Sequence, residues 1–160
     1  SIHFPDSLKY QTKKLARTVY GGGGIMPDFF VPIDTTQYTD YHRNIVAKGV
    51  VIKTTMKFIE SHRKELQSKY KKFETFNDKF EISDEILANM QTLAEQEKIK
   101  FDEKQYRKSL PLIKTQLKAL IARDLWDMNE YFQIMNTTDS SVIQALKVLN
   151  EGAYEKVVRL

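Results

Sequence analysis

Position 34 divides the chain into two parts that cannot fold by the same rules. Residues 1–34 hold three of the four prolines (Pro5, Pro27, Pro32) and, in the run Gly21 to Gly24, four of the six glycines. Proline removes a backbone donor and glycine loses the most entropy inside a regular element. With the β-favouring stretches Thr18-Val19-Tyr20 and Phe29-Phe30-Val31, this part predicts short strands and turns. Beyond Asp34 only Gly49, Pro111 and Gly152 punctuate the remaining 126 residues, and the apolar positions recur at helical spacing. The expected fold is mainly α. A terminal β-strand/turn segment over residues 1–34 precedes a multi-helix, bundle-like domain over residues 35–160.

The helices can be placed one by one. Asp34, Thr35 and Thr36 are candidate N-caps for a helix from about Gln37 to Lys48 with Tyr38, Tyr41, Ile45 and Val46 inward, and Gly49 is its natural stop. A second stripe, Ile52, Met56, Ile59, Leu66 and Tyr70, steps by three, four and seven. Phe73, Phe76 and Phe80 repeat the pattern on a short third element. Ser83 caps the next, carrying Ile86, Leu87, Met90 and Leu93, with Asp84 and Glu85 where the helix dipole favours anions. After a break at Ile99–Phe101, Asp102 starts another helical stretch. The strongest stripe, Ile113, Leu117, Leu120, Ile121, Leu125, Met128, Phe132 and Met135, predicts one central helix from Leu110 to Met135, about 26 residues or roughly 39 Å long. Pro111 stands near its start, where proline is tolerated, or else kinks a helix that continues from the Asp102 stretch. A last helix, Ser141 to about Asn150, presents Val142, Ile143, Leu146 and Leu149, and Gly152 ends it.

Composition excludes several classes. With 41% apolar residues, among them nine Phe and eight Tyr, the chain buries a core rather than remaining disordered. No apolar run approaches the ~18 residues of a membrane span. The absence of cysteine removes disulfides, thiolate zinc sites and a thiol nucleophile. The chain opens Ser1-Ile2-His3-Phe4-Pro5 without the basic and apolar regions of a signal peptide, so a processed chain or a segment of a longer one is expected. The net charge of +4 arises from basic residues interleaved with acids, and no nucleic-acid partner is expected. Stacking of bases on Tyr10, Tyr20, Phe29 and Phe30 beside Lys13, Lys14 and Arg17 is the competing account of those aromatics; strand alternation explains them equally.

The motif searches return little chemistry. Gly24 is followed by Ile25-Met26-Pro27-Asp28, neither the Gly-Lys-Ser/Thr of a P-loop nor a dinucleotide fingerprint, so the glycines are read as a link between two strands. Ser61 with Lys64 and Ser68 with Lys71 match Ser-x-x-Lys but lie in a strongly charged helix, where an exposed lysine keeps its proton near neutrality. His3, His42 and His62 share no metal-ligand spacing. No catalytic residue, metal or cofactor is assigned. Asp124, Asp127 and Glu130, spaced by three beside Arg123 and Trp126, suggest a compensated ion-pair network of Arg123, Asp124 and Asp127.

One stretch carries more. Ala16-Arg17-Thr18-Val19-Tyr20-Gly21-Gly22-Gly23-Gly24-Ile25-Met26-Pro27-Asp28-Phe29-Phe30-Val31 resembles the segment near the end of the catalytic core in carboxyl-terminal-processing (tail-specific) serine peptidases, whose pattern is Gly-Arg, then Gly-Gly-Ile-x-Pro-Asp and a strand ending in valine. Arg17, Gly21, Gly22, Gly23, Gly24, Ile25, Pro27 and Asp28 carry the match, and Ala16 stands where the pattern has glycine. Lys118 to Trp126, with the helices before it, looks like the helical extension of the Bacteroidetes-type members. The resemblance implies a parent serine endopeptidase with a Ser/Lys dyad and a PDZ domain, cleaving proteins near their C-termini in the periplasm or cell envelope. No position here matches the dyad or the PDZ loop. The implied partners are therefore the rest of the parent, its protein substrates, and a homo-oligomer if one forms. The alternative is a stand-alone helical interaction module without enzymatic role.

Overall fold

The computed structural model describes residues 5–14, 16–22, 27–33 and 35–158. Among them the fold is mainly α, with eight helices and one two-stranded sheet. A 3-10 turn at Asp6–Leu8 leads into β1 (Lys9–Gln11), which pairs antiparallel with β2 (Thr18–Tyr20) in the register Lys9 to Tyr20, Tyr10 to Val19 and Gln11 to Thr18. Gly21 N donates to Leu8 O at 2.7 Å and extends the ladder by one step. The glycines therefore follow β2 instead of linking two strands, and the strands are joined by residues 12–17. Gly23, Gly24, Ile25 and Asp34, together with His3, lie outside the described residues. Phe29-Phe30-Val31 is not a strand, and none of the described residues pairs with it in a ladder.

The helices are α1 (Asp40–Ala47), α2 (Val50–Lys69), α3 (Phe73–Lys79), α4 (Asp84–Gln96), α5 (Glu103–Leu125), α6 (Met128–Met135), α7 (Ser140–Asn150) and α8 (Ala153–Val158). Side-chain caps set several starts: Thr39 accepts from His42 N, Ser83 from Ile86 N and Asp102 from Gln105 N. The first helix thus begins three residues later than the spacing predicts, because Thr39 and not Thr35 or Thr36 supplies the cap. Gly49 stops α1 with φ +70°, a left-handed turn that only glycine adopts without strain, and starts α2 in the same step.

The contacts gather into two compact units, Asp34–Asp139 and Ser1–Ile33 with Ser140–Leu160. The first cut falls beside the composition break. The second leaves no compositional trace, and it assigns the last two helices to the N-terminal segment rather than to one helical domain over 35–160.

In the unit Asp34–Asp139, α5 packs on α1, α2 and α6, and α2 on α4. Its interior includes Ile45, Ile86, Met90, Ile113, Leu117 and Ile121, all fully buried. An aromatic cluster closes one end: Phe76 stacks on Phe80 at 4.6 Å and meets Tyr70 at 5.4 Å and Trp126 at 5.2 Å.

Several sequence expectations need correcting. The 26-residue central helix is two helices, broken at Trp126 and restarted at Asp127, whose carboxylate accepts from Met128 N at 2.6 Å. A self-supplied cap and the seat of the Trp126 ring on Phe73 and Phe76 outweigh a stripe that runs on without interruption. Pro111 lies well inside α5, which is continuous from Glu103. On α2 the buried face is Val50, Val51, Thr54, Thr55, Ile59 and Leu66, while Ile52 and Met56 are exposed. The two threonines are admitted because their hydroxyls bond the helix's own carbonyls, Thr54 to Val50 O at 2.8 Å and Thr55 to Ile52 O at 2.9 Å. Tyr38, Val46, Met128 and Phe132 are exposed as well. On α7 only Val148 is buried, and Ile143, Leu146 and Leu149 face outward. Beyond Gly152 the chain turns helical again as α8.

Candidate functional site

The motif residues of the N-terminal segment come together around a tight turn. Thr12 N bonds Arg17 O at 2.9 Å, Ala16 N bonds Thr12 O at 3.0 Å, and Arg17 N bonds Thr12 Oγ1 at 3.1 Å. Ala16 is held at φ +49°, a left-handed backbone that favours glycine, and this is where the tail-specific pattern carries one. The Arg17 guanidinium then reaches across eleven residues to donate to Asp28 Oδ1. Arg17 and Asp28, the two charged members of the motif, therefore clasp the stretch between them at its two ends. Gly21 lies under the ring of Tyr10, so close that a Cβ there would stand 2.6 Å from Tyr10 Cε2, and Gly22 adopts φ +83°. Pro27 and Asp28, with Phe29, Phe30, Val31, Val148, Leu149 and Tyr154, line an open apolar groove of about 570 Å³ within the same unit.

What this segment lacks is an interior: no described residue between Pro5 and Ile33 is buried. Tyr10 is 58% exposed, Phe30 81% and Ile33 87%. A two-stranded hairpin with no covered face is marginal in water.

The proposed network of the helical unit is looser than its spacing suggests. Arg123 Nη2 and Asp124 Oδ2 stand 3.9 Å apart, and Asp127 is occupied as the cap of α6. Asp124 O instead accepts from Arg63 Nη1 at 3.0 Å, while Asp124 Oδ2 and Glu130 Oε2 are buried without a hydrogen bond. Arg63 and Asp124 border a groove of about 640 Å³ together with Ser61 and Lys64. Ser61 Oγ donates to Lys57 O at 3.3 Å, so its hydroxyl is turned along the helix. Among the described residues no three His, Cys, Asp or Glu side chains are grouped to hold a metal ion.

Sequence reasoning missed a buried polar seam between α1 and α5. Ser109 Oγ lies 2.7 Å from Thr39 Oγ1 and donates to Gln37 O at 2.7 Å, and Gln105 Oε1 accepts from Tyr41 N at 2.8 Å. His42, fully buried, shares a 3.0 Å hydrogen bond from Nε2 to Gln116 Oε1, while its Nδ1 is buried with no partner. Burial holds the imidazole below its ordinary pKa, the Gln116 bond opposing. Next to it the Tyr41 hydroxyl, also unpartnered, is pushed up to about 12, chiefly by burial and then by Tyr106 and Glu95. The signal was present as Gln105, Ser109 and Gln116 at steps of four and seven, an uncharged polar line on one face of a helix whose other polar residues are mostly charged.

A family model described as a family of unknown function (DUF8443) matches residues 41–127, more than half of the chain. The chain belongs to the DUF8443 family. The DUF8443 match runs from Tyr41 in α1 to Asp127, the cap of α6, and so takes in the seam apart from Gln37 and Thr39, the aromatic cluster and the Arg63–Asp124 contact. It leaves out the hairpin and its motif. No curated protein and no solved structure matches the chain.

Proposed function

We propose that this chain is the C-terminal part of a tail-specific serine endopeptidase of the cell envelope, its DUF8443 unit a structural or regulatory appendage without the Ser/Lys dyad. In this reading residues 5–33 complete the β-rich catalytic core, and the protein substrates meet the chain only through that core. One observation carries it. In the segment that resembles the end of the peptidase core, the described residues form a registered hairpin, fit a glycine under Tyr10 and hold the Arg17–Asp28 clasp, yet none of them is buried. Such a segment gains stability by laying its apolar side chains on another surface, and the remainder of a peptidase core supplies one.

The test uses the complete coding sequence that contains these residues. It should encode, upstream, a serine followed by a lysine in the tail-specific context. The complete protein should cleave an unstructured protein with an apolar C-terminus, and the 160-residue chain alone should not. Turnover by the chain alone that disappears in the Ser61→Ala, Ser68→Ala double variant overturns the reading, as does a coding sequence with no such serine and lysine.

A further inference from the structure

The α1–α5 seam joins two helices through side-chain hydrogen bonds at a place where most helix pairs use apolar contact. Its titratable member, His42, is sealed from solvent with one nitrogen bonded and the other bare. The Nε2 bond to Gln116 Oε1 requires a proton on Nε2, which leaves Nδ1 as a lone-pair acceptor without a donor. That arrangement is tolerable while the ring is neutral. A second proton places an N–H and a full charge on Nδ1, where no acceptor stands, and a buried unpaired charge costs far more than a buried lone pair.

The Gln116 bond favours the cation but does not outweigh burial. Gln116, Gln105 and Ser109 reach the seam from α5, all uncharged. Tyr38, ahead of α1, sets its ring 4.9 Å from the imidazole, whereas the Tyr41 ring meets Phe101 and Tyr106. The buried face of α2 is Val50, Val51, Thr54, Thr55, Ile59 and Leu66, none of them titratable. On α1 itself Asp40 and Arg43 pair with each other at the surface. Burial and the Gln116 bond are the causes that act on the ring, the first outweighing the second.

We propose that this seam is an acid-sensitive latch, in which protonation of His42 unseats α1 from α5 while the rest of the helical core stays folded. The direction follows from linkage. Once α1 is undocked the imidazole regains an ordinary pKa of about 6.5. Docking is thus fully favoured above that pH and weakens as the pH falls below it, until the lower pKa of the docked form is reached. Across that window the undocking equilibrium rises up to about tenfold per pH unit. The core can survive the change because Phe76, Phe80 and Trp126, with α2–α4, are assembled on other contacts. The latch holds whether or not the peptidase reading does.

Amide hydrogen exchange of the full chain, corrected for intrinsic rates and followed from about pH 7.5 to about pH 5, tests it. The amides of residues 43–48 should lose protection as the pH falls below about 6.5, by up to about tenfold per pH unit, while those of α4 keep theirs. In His42→Gln, whose side chain stays neutral and within reach of Gln116, protection of α1 should be independent of pH. Constant protection of α1 in the wild type overturns the latch, and so does a loss shared equally by α1 and α4. If His42→Gln does not fold, those two wild-type outcomes still decide.

Discussion

The described residues of 5–33 and residues 35–139 are held by opposite means. The helical unit is organised from inside, with Phe76, Ile113, Leu117 and Ile121 at zero exposure. The hairpin segment is organised by its backbone ladder, the ion pairs Asp6–Lys9 and Arg17–Asp28 and a glycine–tyrosine contact, and none of its described residues is buried. Full burial of one large apolar side chain is worth ~1.5–3 kcal/mol, whereas an exposed ion pair such as Arg17–Asp28 contributes ~0.2–1 kcal/mol. The contrast teaches that the first unit specifies its own structure, and that the second specifies a shape whose stability must come from a surface it meets.

The sharpest way to break this contrast is to truncate one phenylalanine in each region. Phe76→Ala removes a ring that stacks on Phe80, meets Tyr70 and Trp126 and has the Lys118 ammonium 6.0 Å from its centre, and it should cost about 3–5 kcal/mol. Phe30→Ala removes a ring 81% exposed and should stay within about 0.5 kcal/mol. Urea unfolding followed by helix signal measures both. Equal losses would mean that the hairpin segment is held by burial after all.

A smaller effect separates two ways of ending a helix. The carboxylate of Asp127 accepts from Met128 N at the start of α6, so Asp127→Ala should cost about 1 kcal/mol. Amide protection across α6 should fall while α2 and α4 are unaffected. If Asp127 acted instead as an ion-pair partner of Arg123, the loss would shrink at high salt; a cap loss should not.

The outcome at Asp127 also explains what was legible in the sequence and what was not. Caps that stand alone before an apolar run, Ser83 and Asp102, mark their helices unambiguously, and the Phe73, Phe76, Phe80 spacing places the aromatic cluster. Arg17 and Asp28 announced themselves only through a resemblance; their pairing spans eleven residues and no local rule predicts it. The break at Trp126 was hidden because a hydrophobic stripe continues through it, and a stripe reports which face is apolar, not whether the backbone between two faces is continuous. Thr54 and Thr55 fall outside the apolar stripe because hydroxyls count as polar, although in a helix each can satisfy itself on the preceding turn. Ile143, Leu146 and Leu149 failed for the converse reason: their period says they want a cover, and the described residues do not supply one. His42 was weighed only as a metal ligand, and its partner, Gln116, lies 74 residues away.

The smallest prediction tests the hairpin's one close contact. Gly21 has no left-handed φ to protect, so an alanine is compatible with its backbone; the obstacle is the Tyr10 ring, whose Cε2 and Cδ2 would stand 2.6 and 3.2 Å from the new Cβ. That ring is more than half exposed and can turn aside into water, so Gly21→Ala should cost no more than about 0.5 kcal/mol. Covering a strand-end glycine with a cross-strand aromatic is a known way to pin register, and the Gly21 α-protons should accordingly be shifted upfield in the wild type and return to ordinary positions in Tyr10→Leu. In Gly21→Ala the Tyr10 ring signals should move while the cross-strand contact between Tyr10 and Val19 persists, because the ladder bond from residue 21 N to Leu8 O does not involve the ring. Loss of the Tyr10–Val19 contact in that variant would show that the ring, and not the ladder, holds the hairpin, and that this segment carries a small interior of its own.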